Sequence, residues 1–78
     1  MKRGDLCILH HEDKRAIQSW DPGPPKIQET IKHPLGSLCM FIRHEEIRVD
    51  DGYKDFFVVL IGGRLRSVVP KNLKKRSQ

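Results

Sequence analysis

Phe56-Phe57-Val58-Val59-Leu60-Ile61-Gly62-Gly63-Arg64-Leu65-Arg66-Ser67-Val68-Val69-Pro70 is the stretch that decides the fold. Its first six residues are the longest apolar run in the chain. That run is far short of the roughly 20 residues a membrane-spanning helix needs, and it has the length and β-branched content of a strand. Gly62-Gly63 follows as a two-residue hairpin turn, because glycine alone takes the positive φ angles of a type I′ turn freely. The chain returns through a strand at 64–69 until Pro70, which has no amide to give to a ladder, ends it. The turn sets a register in which Leu60 faces Leu65, Ile61 faces Arg64 and Phe56 faces Val69.

Outward from this hairpin the pattern stays β. Upstream, a strand at 37–49, bent near Glu45-Glu46, runs into Asp51-Gly52, a second two-residue turn signal. That turn places Arg48 opposite Asp55 and Ile47 opposite Phe56, giving a three-stranded meander. Downstream, Pro70-Lys71-Asn72-Leu73 suits a single 3-10 turn before a short last strand at 73–75. Leu6-Cys7-Ile8-Leu9 reads as the first strand. Between them lies a long excursion loop, about 10–35, with Ala16, Ile17, Trp20, Ile27 and Ile31 as its apolar anchors. Asp21-Pro22-Gly23-Pro24-Pro25 at its middle suits neither a helix nor a central strand, and short strand pieces are expected around 15–18 and 27–31. The fold class is all-β: five short strands in one domain, 1–76, with 77–78 as the tail end. A loop of this length in so small a domain suggests a functional role.

The chain has 78 residues and a net charge of +5. One small domain is what such a length supports, and its core is marginal because little of the unfolded chain's surface can be buried. The charge is uneven. Arg64, Arg66, Lys71, Lys74, Lys75 and Arg76 give residues 64–78 a charge of +6 with no acid, so residues 1–63 sum to −1. A cationic end of this kind either meets phosphates or acidic surfaces, or serves solubility alone. Cys7 and Cys39 are too few for a disulfide framework and sit in apolar runs, so they are expected as reduced, buried small hydrophobes. No secretory signal pattern is present.

The ending Gly63-Arg64-Leu65-Arg66-Ser67-Val68-Val69-Pro70-Lys71-Asn72-Leu73 is similar to the glycine, hydrophobic, Val-Pro-x-Asn-aromatic ending of SH3-like barrels. The opening Met1-Lys2-Arg3-Gly4-Asp5-Leu6 resembles the starts of many short SH3-like proteins encoded by bacteriophages. The resemblance covers most of 1–9 and 36–76. It implies a five-stranded SH3-like barrel with a long first excursion loop and a 3-10 turn before the last strand. It departs from the peptide-binding members: the first strand has no aromatic, the one tryptophan, Trp20, lies in the excursion loop, and Leu73 stands where those domains have tyrosine. A polyproline groove is therefore not expected. The barrel hosts many unrelated activities, so the resemblance speaks to fold more than to function.

Residue chemistry points away from catalysis. His10, His11, His33 and His44 with the two cysteines lack the close ligand spacing of structural zinc. The pairs Glu12-Asp13, Glu45-Glu46 and Asp50-Asp51 lie on or beside turns, and there is no phosphate loop or nucleophile elbow. No catalytic residue, cofactor, metal or small-molecule substrate is expected.

The run at 56–61 is apolar on both faces. Phe56, Val58 and Leu60 pair with Leu65, Val69 and Ile47 and are expected to face the core. Phe57, Val59 and Ile61, bordered by Arg64 and Arg66, need another cover: either the loop, through Trp20 and Ile27, or another chain. The functional expectation is a non-enzymatic assembly module, a minor component of a bacteriophage particle such as a capsid-decorating, neck or tail protein. Phe57, Val59, Ile61 and Trp20 are its interface candidates, and protein subunits of a larger assembly its partners. It would be made in the host cytoplasm and reside in the virion, with residence in the cytoplasm the other case. The alternative is a nucleic-acid-binding barrel using Arg64, Arg66, Lys71, Lys74, Lys75 and Arg76; a peptide-binding adaptor stands third.

Overall fold

The computed structural model describes residues 1–23 and 29–76. Among them it holds seven strands: β1 (Leu6–Leu9), β2 (Ala16–Ser19), β3 (Ile31–Pro34), β4 (Leu38–Val49), β5 (Gly52–Ile61), β6 (Arg64–Val68) and β7 (Leu73–Lys75). A 3-10 turn at Pro70–Asn72 precedes β7. Five strands form one antiparallel sheet in the order β6-β5-β4-β1-β7, and β2 pairs with β3 in a second sheet. The excursion is thus itself a hairpin, with its strands slightly later in the chain than expected. The two sheets join where Trp20 pairs with Ser67 on the free edge of β6, through Trp20 N–H to Ser67 O (3.0 Å) and Ser67 N–H to Trp20 O (2.7 Å).

The two meander turns behave differently, and glycine is the reason. Gly62 and Gly63 both take positive φ, +58° and +79°, and the register of β5 against β6 is the expected one, Leu60 opposite Leu65 and Ile61 opposite Arg64. The other hairpin has Val49 opposite Gly52, so the turn is Asp50-Asp51, one residue earlier than expected, and β4 residues face partners two positions earlier in β5 than expected. Arg48 faces Tyr53 and Ile47 faces Lys54, rather than Asp55 and Phe56. A type I′ turn at Asp51-Gly52 would need positive φ at Asp51; positive φ among the described residues falls on glycine only, and Gly52 takes +129° just after the turn. The irregularity in β4 lies between Phe41 and Arg43, not at Glu45-Glu46. Such a bulge bends the strand and strengthens its twist, which lets one long strand pair with both β1 and β5.

The core is built from Cys7, Leu9, Ile17, Cys39, Phe41, Val59, Val68 and Leu73, with Phe57 and Ile61 packed against it. This reverses the expected faces of β5. Val59 is fully buried, and Phe57 and Ile61 lean on the same cluster, so these three interface candidates belong to the interior. Leu60 and Leu65, expected inside, are 38% and 43% exposed. Val58 is buried outside that cluster. The reason is Arg66, which stands opposite Val59 and is 1% exposed. A charged residue marks a solvent face in most strands, and here it is inside.

Candidate functional site

The outer face of the five-stranded sheet carries a row of apolar side chains in direct register. Leu65 of β6 faces Leu60 of β5, Leu60 faces Met40 of β4, and Met40 faces Leu6 of β1. Residues directly opposite in antiparallel strands project to the same side. A second row continues with Leu38 opposite Ile8 and Ile8 opposite Lys74. Leu6, Leu38, Leu60 and Leu65 are 44%, 54%, 38% and 43% exposed, while Met40 and Ile8 are half-buried. The β7 edge of the patch is cationic: Lys74 ends the second row, and the Arg76 amide donates to Leu6 O at 3.0 Å beside the first. None of the residues named in the two rows is acidic.

On the inner side, Arg66 ties the excursion to β6. Its Nε donates to Ser19 Oγ (2.9 Å), one terminal nitrogen to Asp21 Oδ1 (2.7 Å), and the other to the carbonyls of Ser19 and Glu29 (2.8 Å each). The planar guanidinium suits this set, since its donors lie in a fixed fork. Ser19 Oγ in turn meets His33 Nε2 at 2.7 Å. While its oxygen accepts from Arg66, the Ser19 hydroxyl is free to give its proton to an unprotonated Nε2. Burial first, then the Arg66 charge, hold the His33 imidazole below its ordinary value, which favours the same neutral form. On the opposite face of the sheet, that of Val58 and Leu60, Glu45 adds a second tie to the excursion, accepting from Gly23 N–H (2.7 Å) and from Ser67 Oγ (3.1 Å).

The six basic candidates do not form one patch. Arg66 is spent inside. Arg64 is 54% exposed and pairs with Glu29 (3.0 Å) and more loosely with Asp21 (3.7 Å). Lys75 reaches Asp5 at 3.6 Å. Lys71, Lys74 and Arg76 remain as exposed cations. Trp20, the fourth interface candidate, is half-buried and meets Phe56 edge-on at 6.1 Å between ring centroids. Ile27 lies outside the described residues.

Cys7 and Cys39 face each other across β1 and β4, both buried and free. Burial, then the neighbouring Cys7, pushes the Cys39 thiol up to about 12, and burial, then Asp5, raises Cys7. Thiols held protonated are poor nucleophiles and metal ligands. Among the described residues no group of three His, Cys, Asp or Glu side chains converges on a metal-sized space. His44 instead meets Asp55 at 2.9 Å on the surface.

Reading charge as exposure misses both features. The Arg66 cluster draws Ser19, Asp21 and His33 from the polar excursion, and no short motif connects them. The outer row was accessible from alternation in β1, where Cys7 and Leu9 are buried while Leu6 is exposed. No protein-family model, no curated protein and no solved structure matches this chain.

Proposed function

We propose that this chain is a non-enzymatic assembly module, a small SH3-like barrel that docks on a larger complex through the outer face of its five-stranded sheet. The observation that carries this is the four-strand row Leu65, Leu60, Met40 and Leu6, extended by Leu38 and Ile8. A contiguous apolar surface of this kind on a small domain marks a protein–protein contact more often than a free face. The strand order, with the first strand between the last strand and the meander, supports the barrel reading. The occupant is a partner subunit presenting an apolar surface with an acidic rim. Lys74 and Arg76 border the patch, and no carboxylate lies in its rows to meet those cations from a second copy.

The likeness of the opening and ending segments to short bacteriophage proteins makes a virion component the natural case, with capsid, neck or tail subunits as partners. The test is Leu60→Asp combined with Leu65→Asp. The double variant is expected to keep its circular dichroism spectrum and to be missing from purified particles, while Tyr53→Asp, at an exposed position away from the rows, incorporates normally. Normal incorporation of the double variant would overturn the reading. Nucleic-acid binding through the C-terminal strand and tail stands behind it, because Arg66 is buried and Arg64 and Lys75 are ion-paired.

A further inference from the structure

A cavity of about 420 Å³ lies between the β2–β3 hairpin and the 3-10 turn, and Lys14, Arg15, Lys32, Trp20, Val69 and Asn72 are among its lining residues. Its volume is in the range of small-ligand sites, roughly 300–1,000 Å³. Three of those residues are cations, and among the described residues no carboxylate lines the space. Among the described residues Lys14, Arg15 and Lys32 make no ion pair with an acid, in contrast to Arg64, Arg66 and Lys75. A second cavity of about 430 Å³ opens on Trp20 and Val69 as well, and is bounded by Phe56, Lys54 and Asp55. Trp20 is therefore common to two adjoining compartments.

The independent observation is Asn72. It is 3% exposed and lines the first cavity, and its Oδ1 has no hydrogen-bond partner among the described residues. Buried acceptors without a donor are rare in folded proteins. The chemistry needed is an anion for the cations, a flat aromatic surface for the indole, and a polar N–H for Asn72. We infer that the cleft around Trp20 binds a nucleoside phosphate unit, its phosphate among Lys14, Arg15 and Lys32, its base against Trp20, and a base N–H given to Asn72. A single-stranded nucleic acid places successive nucleotides in the two compartments; a free nucleotide fills the first. The inference uses neither the outer apolar face nor the C-terminal tail, so it stands or falls apart from the assembly reading.

Trp20 is the chain's one tryptophan, so its fluorescence reports on this cleft directly. Titration of the whole chain with a short single-stranded oligonucleotide is expected to quench it saturably. One phosphate held among the three cations gives a log–log salt slope of about −0.7 on a single strand, steeper where neighbouring phosphates are also neutralised. Arg15→Glu and Lys32→Glu, both at exposed positions, are expected to weaken binding by roughly tenfold or more each and to flatten that slope. Lys74→Glu with Arg76→Glu is expected to change little. Tighter binding of the oligonucleotide than of adenosine monophosphate assigns the site to a strand, and equal affinity assigns it to free nucleotides. Equal quenching by polyglutamate overturns the inference, as does binding lost with the tail substitutions but not with Arg15→Glu and Lys32→Glu. So does the absence of any quenching or binding with both nucleotide probes.

Discussion

On the inner face of the five-stranded sheet the guanidinium of Arg66 is 1% exposed, while one residue back along β6, on the outer face, Leu65 is 43% exposed. The same inversion runs through β5, where Val59 is sealed and Leu60 is 38% exposed. The two faces differ in what lies over them. Ile17 of the β2–β3 hairpin joins the core on the inner side, and Ser19, Asp21 and the Glu29 carbonyl receive the Arg66 donors. The outer rows have no such cover among the described elements. Burial in this domain follows the position of the excursion hairpin, and residue polarity is accommodated where hydrogen bonds permit it.

The sharpest way to break this contrast is one substitution on each face of β5. Val59→Asp puts a carboxylate into a fully buried position in the apolar cluster, opposite Arg66, whose donors are already given to Ser19, Asp21 and the Glu29 carbonyl. The penalty of several kcal/mol is comparable to the whole stability of a small domain, so the variant is expected to be unfolded by circular dichroism. Leu60→Asp, its neighbour, is expected to shift the urea midpoint by no more than about 0.5 kcal/mol equivalent. A folded Val59→Asp variant would mean that the inner face is not the core.

Next in size is Arg66→Ala. It removes the Arg66 donors from the Ser19 hydroxyl, from the carbonyls of Ser19 and Glu29 and from the Asp21 carboxylate, which keeps Arg64 at 3.7 Å. Each buried polar group left unsatisfied costs about 1–3 kcal/mol, so the Ser19 hydroxyl and carbonyl together set a loss of about 2–5 kcal/mol. Urea denaturation followed by circular dichroism measures it. Arg66→Lys is expected to recover only part of that loss, because one ammonium cannot span the same fork.

The sequence reading and the structure part company at these same residues, for reasons that lie in how local each signal is. Strand positions and the Gly62-Gly63 turn depend on neighbouring residues and on φ preferences, and both were legible. The turn falls at Asp50-Asp51, one residue before the Asp-Gly pair that suits a type I′ turn, because that turn needs positive φ at Asp51 and only the glycine takes it here. Which face of β5 is inside depends on Arg66, whose side-chain partners Ser19 and Asp21 lie 47 and 45 residues away. No window of sequence joins them. Apolar pairing of Phe56, Val58 and Leu60 with Leu65, Val69 and Ile47 points the other face outward, and the fold overrides it at Phe57, Val59 and Ile61. The cleft at Trp20 was hidden for the same reason, since Asn72 and the β2–β3 hairpin meet only in the fold.

A smaller effect tests whether the Arg66 cluster senses pH through His33. The imidazole is held below its ordinary value of 6.5, by burial and then by the Arg66 charge, so the unfolded chain binds its proton more readily than the folded one. The contribution is complete above the unfolded value and is lost as pH falls from about 6.5 through the lower folded value. Urea midpoints of the native chain are expected to drop over that window. In His33→Gln, which keeps a group able to bond Ser19 Oγ, that part of the drop should vanish. Identical pH profiles for the two proteins would place His33 outside the cluster's electrostatics.

The smallest effect belongs to Arg64, which completes the contrast within β6. Its pairing resembles that of Arg66 on paper, since both reach Asp21 and residue 29. The difference is solvent: the Arg64 side chain is 54% exposed, and Glu29, its nearer partner at 3.0 Å, is 60% exposed. Water screens such a pair and hydrates both charges when it breaks, so its value is about 0.2–1 kcal/mol and falls with salt. Arg64→Ala is therefore expected to lower stability by less than about 1 kcal/mol, with the loss disappearing at high ionic strength. The Arg66→Ala loss should largely persist under the same salt, because the guanidinium is 1% exposed and its bonds to Ser19 are buried. If salt abolished both losses alike, the inner face would be wetter than the burial of Arg66 allows, and the distinction between the two sides of the sheet would fail at its strongest point.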